Sequence, residues 1–394
     1  MAFVTLDNKN WCKGIYQNGE LHFSKMPENL CRTWRYAPFL KDKNVQYACI
    51  YANGASIDEV CPEHLREQWS RVSKTLKSYH KSFVHAKINL QENCFFDLVP
   101  HQFLKDFCEI KSEIIESIID KTPKPENHDF ILEIDKFVQH LSEKKLNIDL
   151  MPLKKEMHDE RARNLFKRLV NSKHYVDYNV FGSKTGRLTT NKNSFPILNL
   201  DTKFRNIINP VNDVFVELDY NSAELRVLLS LADQEQPLED IHSWNAEKFS
   251  LTREDAKKEV FSWLYGSTKI DSSKYEHFFK PEKIKTRYYD GEYVKNIYGR
   301  KIKSDDFRCL NYIIQSTTSD MVLEQVIKIT KKFKNKKSFI AFMVHDSVVI
   351  DLSKEDRELL SNAIEAFSNT RLGKFPVNVS IGKNYGTLRK IKCL

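Results

Sequence analysis

Val214-Phe-Val-Glu-Leu-Asp-Tyr-Asn-Ser-Ala-Glu-Leu-Arg-Val-Leu-Leu-Ser-Leu231 changes its apolar period half-way along. Val214, Val216 and Leu218 alternate with Phe215 and Glu217, as on a strand, whereas Val227, Leu228 and Leu231 recur at helical spacing. The switch falls at Asp219, which closes the strand. Glu224 opens the helix, and Asn221 or Ser222 is the expected N-cap. An acid fixed at a strand end, followed by a turn with free backbone groups, is a place where a hard cation and a phosphate meet. Such an Asp is also a common helix cap, so Asp219 alone does not decide the chemistry.

Outward from this stretch, Val176 to Phe181 reads as a strand, and Gly182-Ser-Lys-Thr-Gly-Arg-Leu-Thr-Thr as a turn carrying Lys184 and Arg187. A basic, glycine-bearing loop beside a strand suits a phosphate backbone. On the other side, after Asp240-Ile-His242, residues 252 to 266 read as a delimited helix. Thr252 is its N-cap, Asp255 completes a capping box, and Gly266 is its stop. Arg253, Lys257, Phe261 and Tyr265 recur every four residues along one side of it. Two cations at a helix N-terminus oppose the macrodipole by about 0.3–1 kcal/mol each, a cost that a bound triphosphate would offset. The aromatics beyond suit a base. The competing reading is a core stripe of Val260, Phe261, Leu264 and Tyr265 with incidental charges, and the helix alone does not separate the two.

Lys295 to Lys301 reads as strand and turn, and residues 306 to 333 as a long helix carrying Arg308, Asn311 and Gln315. Polar amides one turn apart there are either satisfied core groups or readers of base edges. The lysines from Lys328 to Lys337 suit a solvated helix C-terminus. Residues 339 to 351 are two apolar strand halves interrupted by His345-Asp346-Ser347, which a hairpin turn or a metal must explain.

With 394 residues, 41% of them hydrophobic, the chain is long enough for two or three domains. A net charge of +9 favours an anionic partner. No apolar run approaches a membrane span, and the N-terminal residues lack the pattern of a signal peptide, so a cytoplasmic protein with no membrane partner is expected. Eight scattered cysteines without Cys-x-x-Cys read as reduced thiols. Nearer the N-terminus, Phe3 to Leu6 and a hairpin turning at Asn18-Gly19 are expected as strands. Helices should dominate from Asp58 to Lys144, broken at Lys121-Thr-Pro-Lys-Pro-Glu-Asn, with one further charged helix over 153–171.

Four of these stretches together resemble family A DNA polymerases, the class of bacterial DNA polymerase I and its phage relatives, and point to the phage type. Thr185-Gly-Arg-Leu-Thr resembles the TGRLS segment, and Asp219-Tyr-Asn-Ser-Ala-Glu-Leu-Arg resembles motif A. Arg253-x3-Lys257-x3-Phe261-x3-Tyr265-Gly266 resembles motif B, and Val344-His-Asp-Ser resembles motif C, normally VHDE. The likeness is good over about 176–394 and poor elsewhere.

The resemblance implies an α+β right-hand fold with an antiparallel-sheet palm, helical fingers and thumb, and a small N-terminal α/β region like a degenerate exonuclease. The implied segments are 1–100 for a vestigial 3′-5′ exonuclease-like module, 101–175 for a helical thumb-like region, 176–232 for palm with motif A, 233–305 for fingers, and 306–394 for palm with motif C. It implies transfer of dNTPs to a primer on template DNA, with two Mg²⁺ ions for which Mn²⁺ substitutes, and replisome proteins as further partners. Carried over by position, Asp219 and Asp346 resemble the metal-binding carboxylates, with the Tyr220 carbonyl as a further ligand. Arg253, Lys257 and His242 match triphosphate contacts, Lys257 being the proton donor to pyrophosphate. Phe261 and Tyr265 match residues lining sugar and base, and Glu224 the side chain that excludes a 2′-hydroxyl. Arg187, Asn311, Gln315 and His345 match primer and template contacts.

The chain departs from the pattern where Ser347 replaces the motif C glutamate, which lowers the local negative charge by one. It departs again where Asp7-Asn-Lys9 puts lysine in place of the second nuclease acid, so proofreading is not expected. Two other classes fit part of the pattern: a catalytically impaired, polymerase-like DNA-binding scaffold of a replisome, and a single-subunit RNA polymerase relative, against which Glu224 and Phe261 argue.

Overall fold

The computed structural model describes residues 1–394 except 7–13, 24–25, 41–42, 89–92, 171–173, 193, 267–272 and 392–394. The chain divides into two compact units, Met1–Lys136 and Phe137–Leu394. Asp7 and Lys9 lie outside the described residues.

In the first unit, strands β1 (Val4–Thr5), β2 (Ile15–Gln17) and β3 (Glu20–His22) form an antiparallel sheet. Asn18 and Gly19 take positive φ of 54° and 81°, the geometry a two-residue hairpin needs, as the Asn-Gly pair led one to expect. Helix α1 (Glu63–His85) buries Leu65, Trp69 and Val72 on one face. Helix α2 (His101–Lys121) meets it with Phe107, whose ring lies 5.3 Å from that of Trp69. Lys121 ends α2 just before the two-proline linker, where the lost donors and fixed φ forbid continuation.

The second unit is built on a five-stranded sheet. Its strands are β4 (Val214–Tyr220), β5 (Phe339–Val344), β6 (Ser347–Leu352), β7 (Val377–Gly382) and β8 (Arg389–Ile391), in spatial order β5-β6-β4-β7-β8, with every neighbour antiparallel. The central strand sorts its side chains by alternation. Val216, Leu218 and Tyr220 share one face with Val348, Ile350, Val379 and Ile381. Phe215, Glu217 and Asp219 share the other with Ser347, Val349, Asn378 and Ser380. The chain then continues through helices α3 (Ala223–Leu231), α4 (Ile241–Phe249), α5 (Arg253–Leu264) and α6 (Asp306–Lys332). Helix α6 packs on α3 and on the helix Leu359–Ser368, and it buries a face from Cys309 to Ile329.

Two expectations need correction. The charged helix over 153–171 is two helices, Met151–Lys155 and Glu160–Val170; Arg163 of the second donates back to the carbonyls of Met157 and His158 in the intervening turn at 2.8 and 3.0 Å. Cys31, Cys49, Cys61, Cys108 and Cys309 are free thiols, but Cys94 is disulfide-bonded, since scattered sequence spacing carries no information about pairing.

Candidate active site

Asp219 stands near the C-terminal end of β4, opposite Ser347 on β6 and Asn378 on β7. Asn378 Nδ2 lies 3.4 Å from its Oδ2. Asp346 is at the tip of the β5–β6 hairpin, where the two-residue turn His345-Asp346 is made with His345 at a φ of 53°. The polar interruption of the apolar run is therefore a hairpin turn that delivers Asp346 to the polar face of the sheet. Burial, and then the neighbouring Asp346 charge, push the Asp219 carboxyl up to about 7. Among the described residues no group of three or more His, Cys, Asp or Glu converges as a full metal cage. The donors are hard oxygens, two carboxylates that repel each other until a cation joins them. That set fits Mg²⁺, which uses one or two carboxylates and completes its shell with phosphate oxygens and water. The Tyr220 side chain is turned away into the core, stacked 4.2 Å from Phe367 and bonded to the Phe367 carbonyl, so its carbonyl is the group left for such a role.

The turn from β4 to α3 is strained: Ser222 takes a φ of 56° and a ψ of 64°. The expected Ser222 cap is not made; its hydroxyl instead lies 2.8 Å from His242 Nε2. The turn is held by Arg226, fully buried, which donates to the carbonyls of Asn221, Pro237 and Glu239 at 2.8, 2.7 and 2.9 Å. Glu224, 8% exposed, accepts from Arg187 and from the Tyr265 hydroxyl at 2.7 Å. Burial and this carboxylate raise the Tyr265 hydroxyl to about 12. Arg187 comes from the turn after Tyr178, whose buried hydroxyl donates to Met343 O at 2.6 Å and accepts from Met343 N at 2.8 Å, fixing that segment to β5. At Gly186, with a φ of +78°, a Cβ would lie 2.5 Å from the Arg300 guanidinium carbon. Arg300 is itself locked by Asp320 at 2.7 and 2.9 Å.

Helix α5 separates the two readings of its four-residue repeat. Ala256, Val260, Trp263 and Leu264 are buried, whereas Arg253, Lys257 and Tyr265 are exposed and Phe261 is half-buried. The ligand face and the core face are different faces. Thr252 Oγ1 accepts from Asp255 N at 3.2 Å, but the Asp255 carboxylate accepts from the Thr252 hydroxyl at 2.7 Å and not from the Thr252 backbone, so the capping box is incomplete. Arg253 is tied to Asp240 through Nε at 3.0 Å and Nη2 at 3.2 Å. Asp240 also caps α4 at Ser243 N, at 3.0 Å. Burial works against its ionised form, but the Arg253, Asn221 and Ser243 hydrogen bonds hold the Asp240 carboxyl well below the usual range. His242, expected as a triphosphate contact, is 4% exposed, with its Nδ1 buried and without a hydrogen-bond partner among the described residues. Burial lowers its pKa; the Asp240 charge opposes this, and Lys257 and Arg253 add to the lowering.

Asn311 and Gln315 lie half-buried one turn apart on α6. The Asn311 Oδ1 is buried with no partner among the described residues. A cavity of about 610 Å³ is lined by Tyr265, Gly266, Phe307, Arg308 and Asn311. A second cavity, of about 30 Å³, joins Arg187, His345 and Asp346 with Ser319 on α6.

No family model matches the chain. It is 24% identical to a DNA polymerase of Mycobacterium phage L5 over 45% of this chain and 35% of that protein. It is 22% identical to DNA polymerase I of Borreliella burgdorferi over 81% of this chain and 45% of that protein. Among solved structures, the POL domain of Pol1 from M. smegmatis, in complex with DNA primer-template and dNTP, superposes with a TM-score of 0.59 at 14% identity, over 72% of this chain and 76% of that one. The chain has the fold of that DNA polymerase POL domain. It spans less than half the length of these curated relatives, and among the described residues no helix is long and apolar enough to cross a membrane.

Within this polymerase fold the residues singled out from sequence fall into three groups. Asp219, Asp346, His345 and Arg187 gather around the β4 and β5–β6 ends. Glu224, Tyr265 and Arg187 form one bonded network. Arg253, Lys257 and Phe261 share the uncovered side of α5, with His242 beneath, its ring 5.9 Å from Phe261. Sequence reasoning missed Arg226 and Asp240. Asp240, directly before the helix it caps at Ser243 N, is a cap signal that was there to be read.

Proposed function

We propose that the chain is a template-directed DNA polymerase, a nucleotidyltransferase that adds dNTPs to a primer 3′ end by two-metal-ion transfer and does not proofread. The observation that carries this is the proximity of Asp219 and Asp346 at one end of the strands of the antiparallel sheet, in the same unit as a helix that keeps Arg253 and Lys257 off its core face. Asp219, Asp346 and the Tyr220 carbonyl hold two Mg²⁺ ions, or Mn²⁺ in their place. When bound, the ions activate the primer hydroxyl and steady the leaving pyrophosphate. Arg253, Lys257 and His242 orient the triphosphate, and Lys257, exposed and with no ion-pair partner among the described residues, gives its proton to the pyrophosphate oxygen. Phe261 and Tyr265 line the sugar and base, and Glu224 fills the space of a 2′-hydroxyl. Arg187, Asn311, Gln315 and His345 face primer and template. The segment roles expected from sequence are carried into this proposal, residues 1–100 as a nuclease remnant, with the difference that residues 101–136 belong to the same compact unit as residues 1–100. The setting is the cytoplasm, the host's for a phage enzyme, with replisome proteins as further partners.

Primer extension with Mg²⁺, first with dNTPs and then with rNTPs, tests this. The expected result is extension with dNTPs that Asp219→Asn or Asp346→Asn abolishes while primer-template binding persists. Retained extension in either variant contradicts the assignment. DNA binding without extension by the wild-type chain selects a scaffold, and a preference for rNTPs selects an RNA polymerase relative.

A further inference from the structure

Glu217 is a half-buried acid to which no role above applies. Register decides where it points. Asp219 lies opposite Ser347 and Glu217 opposite Val349, so Glu217, Asp219 and Ser347 rise from one face of the sheet. Glu217 and Ser347 are diagonal neighbours, roughly 7–8 Å apart at the backbone, a gap that a long side chain spans. Glu217 does so: Ser347 Oγ lies 3.4 Å from its Oε1. Ser347 is 6% exposed and its hydroxyl also lies 3.0 Å from Val344 O, so the serine is enclosed between the hairpin backbone and the acid. Arg205 acts on Glu217 as a counter-charge, with its guanidinium 4.7 Å from the Tyr385 ring centroid. Arg205 Nε and the Tyr385 hydroxyl are both buried without a hydrogen-bond partner among the described residues.

We propose that Glu217 supplies, from β4, the carboxylate that position 347 of motif C lacks, acting from outside the ligand shell to strengthen divalent-cation binding by Asp219 and Asp346. The negative charge has moved across one strand pair rather than been lost. The small serine leaves the room that the longer side chain enters from the diagonal position, and a carboxylate at both positions would crowd like charges on one face. Glu217 is a positioning residue: its effect passes through Ser347 and through the field at the two aspartates. The inference rests on the polymerase reading of this site.

Direct Mn²⁺ binding to the full chain, without DNA or nucleotide, tests it by the free-ion paramagnetic resonance signal. Glu217→Gln, which keeps shape and removes charge, is expected to weaken Mn²⁺ binding about tenfold, the range seen for groups behind metal ligands. The exchange variant Glu217→Ser/Ser347→Glu is expected to return affinity to within about twofold of wild type, which a merely structural role for Glu217 does not predict. Affinity unchanged in Glu217→Gln while Asp219→Asn weakens it overturns the inference and leaves the metal site standing. Affinity unchanged in both overturns the metal-site reading itself. A weakened Glu217→Gln that the exchange variant, folded by its melting curve, does not restore also overturns the inference.

Discussion

Replacing Glu224 should change what the site accepts more than how well the protein folds. The carboxylate is almost fully enclosed, yet its donors are not: the Arg187 side chain is 44% exposed and Tyr265 47%. In Glu224→Ala, water reaches both donors, so the stability loss should be about 1 kcal/mol, as for surface pairs, rather than the 3–5 kcal/mol of breaking a fully buried pair. The effect on selectivity is larger, because alanine vacates the volume that a 2′-hydroxyl needs. We expect the ratio of kcat/KM for dATP over ATP to fall by about a hundredfold, equivalent to about 2.7 kcal/mol of discrimination. Tyr265→Phe removes one of the two donors that aim the carboxylate. A half-exposed, charge-assisted hydrogen bond contributes about 1 kcal/mol, so the ratio should fall about fivefold while Arg187 still holds Glu224. Glu224→Gln keeps the volume and should stay within a few-fold of wild type. Single-nucleotide incorporation on one primer-template, with a melting curve for each variant, gives all three numbers. An unchanged ratio in Glu224→Ala, or a loss in Glu224→Gln equal to that in Glu224→Ala, would refute exclusion by a positioned side chain.

The folded, metal-free protein keeps the Asp219 proton up to about pH 7, whereas an unperturbed carboxyl loses it near 3.8. The native state thus binds the extra proton in that window, so its stability should fall as pH rises from about 4 to 7 and then level off. Mg²⁺ competes with the same proton, so stabilisation by Mg²⁺ should grow up to about pH 7; a constant Mg²⁺ shift in Tm between pH 5.5 and 7 would contradict this. Asp240→Asn retains an oxygen for Ser243 N but loses the two-point hold on Arg253. It should lower KM for dNTP about threefold or more, and a raised KM would show that Asp240 aims Arg253 instead. Gly186→Ala places a Cβ against the Arg300 guanidinium at a left-handed backbone position. It should lower Tm by several degrees and weaken primer-template binding, and an unchanged Tm would mean that the loop moves freely.

What was legible in the sequence is what local rules govern. The change of period at Asp219 marks a strand ending in a turn because side-chain alternation and helical recurrence are backbone properties. Thr252 and Gly266 bracket a helix because orphan N–H groups need an acceptor and the terminating residue needs a positive φ. The two faces of that helix were not legible: Phe261 and Tyr265 match a core stripe and a ligand face equally well in sequence, and what packs against Val260 and Trp263 is a tertiary matter. Ser222 has the chemistry of a cap, but the left-handed turn carries its hydroxyl to His242 twenty residues on. Glu217 reads as the polar half of an alternating strand until the register puts it diagonal to Ser347.

Burial sorts the charges of the site into those that are fixed and those that are exchangeable. Arg300 and Asp320, 6% and 0% exposed, are bonded at two points, and Arg226 is spent wholly on backbone carbonyls and Asn221. Breaking either leaves an uncompensated charge in a low dielectric, so these groups hold shape. Arg187 and Arg253 are charged in the same way but are nearly half exposed, 44% and 47%, and each is paired with an acid of the site itself. The Arg253–Asp240 pair, 47% and 31% exposed, is of the kind that contributes about 0–1 kcal/mol, whereas Arg187 holds an acid that is itself only 9% exposed. On the proposed function, a phosphate reaching Arg253 would replace the Asp240 carboxylate by another anion, so this acid would temper anion binding in a chain with net charge +9. Lys257, exposed and with no ion-pair partner among the described residues, would on the same proposal be the cation that meets the triphosphate unpaired.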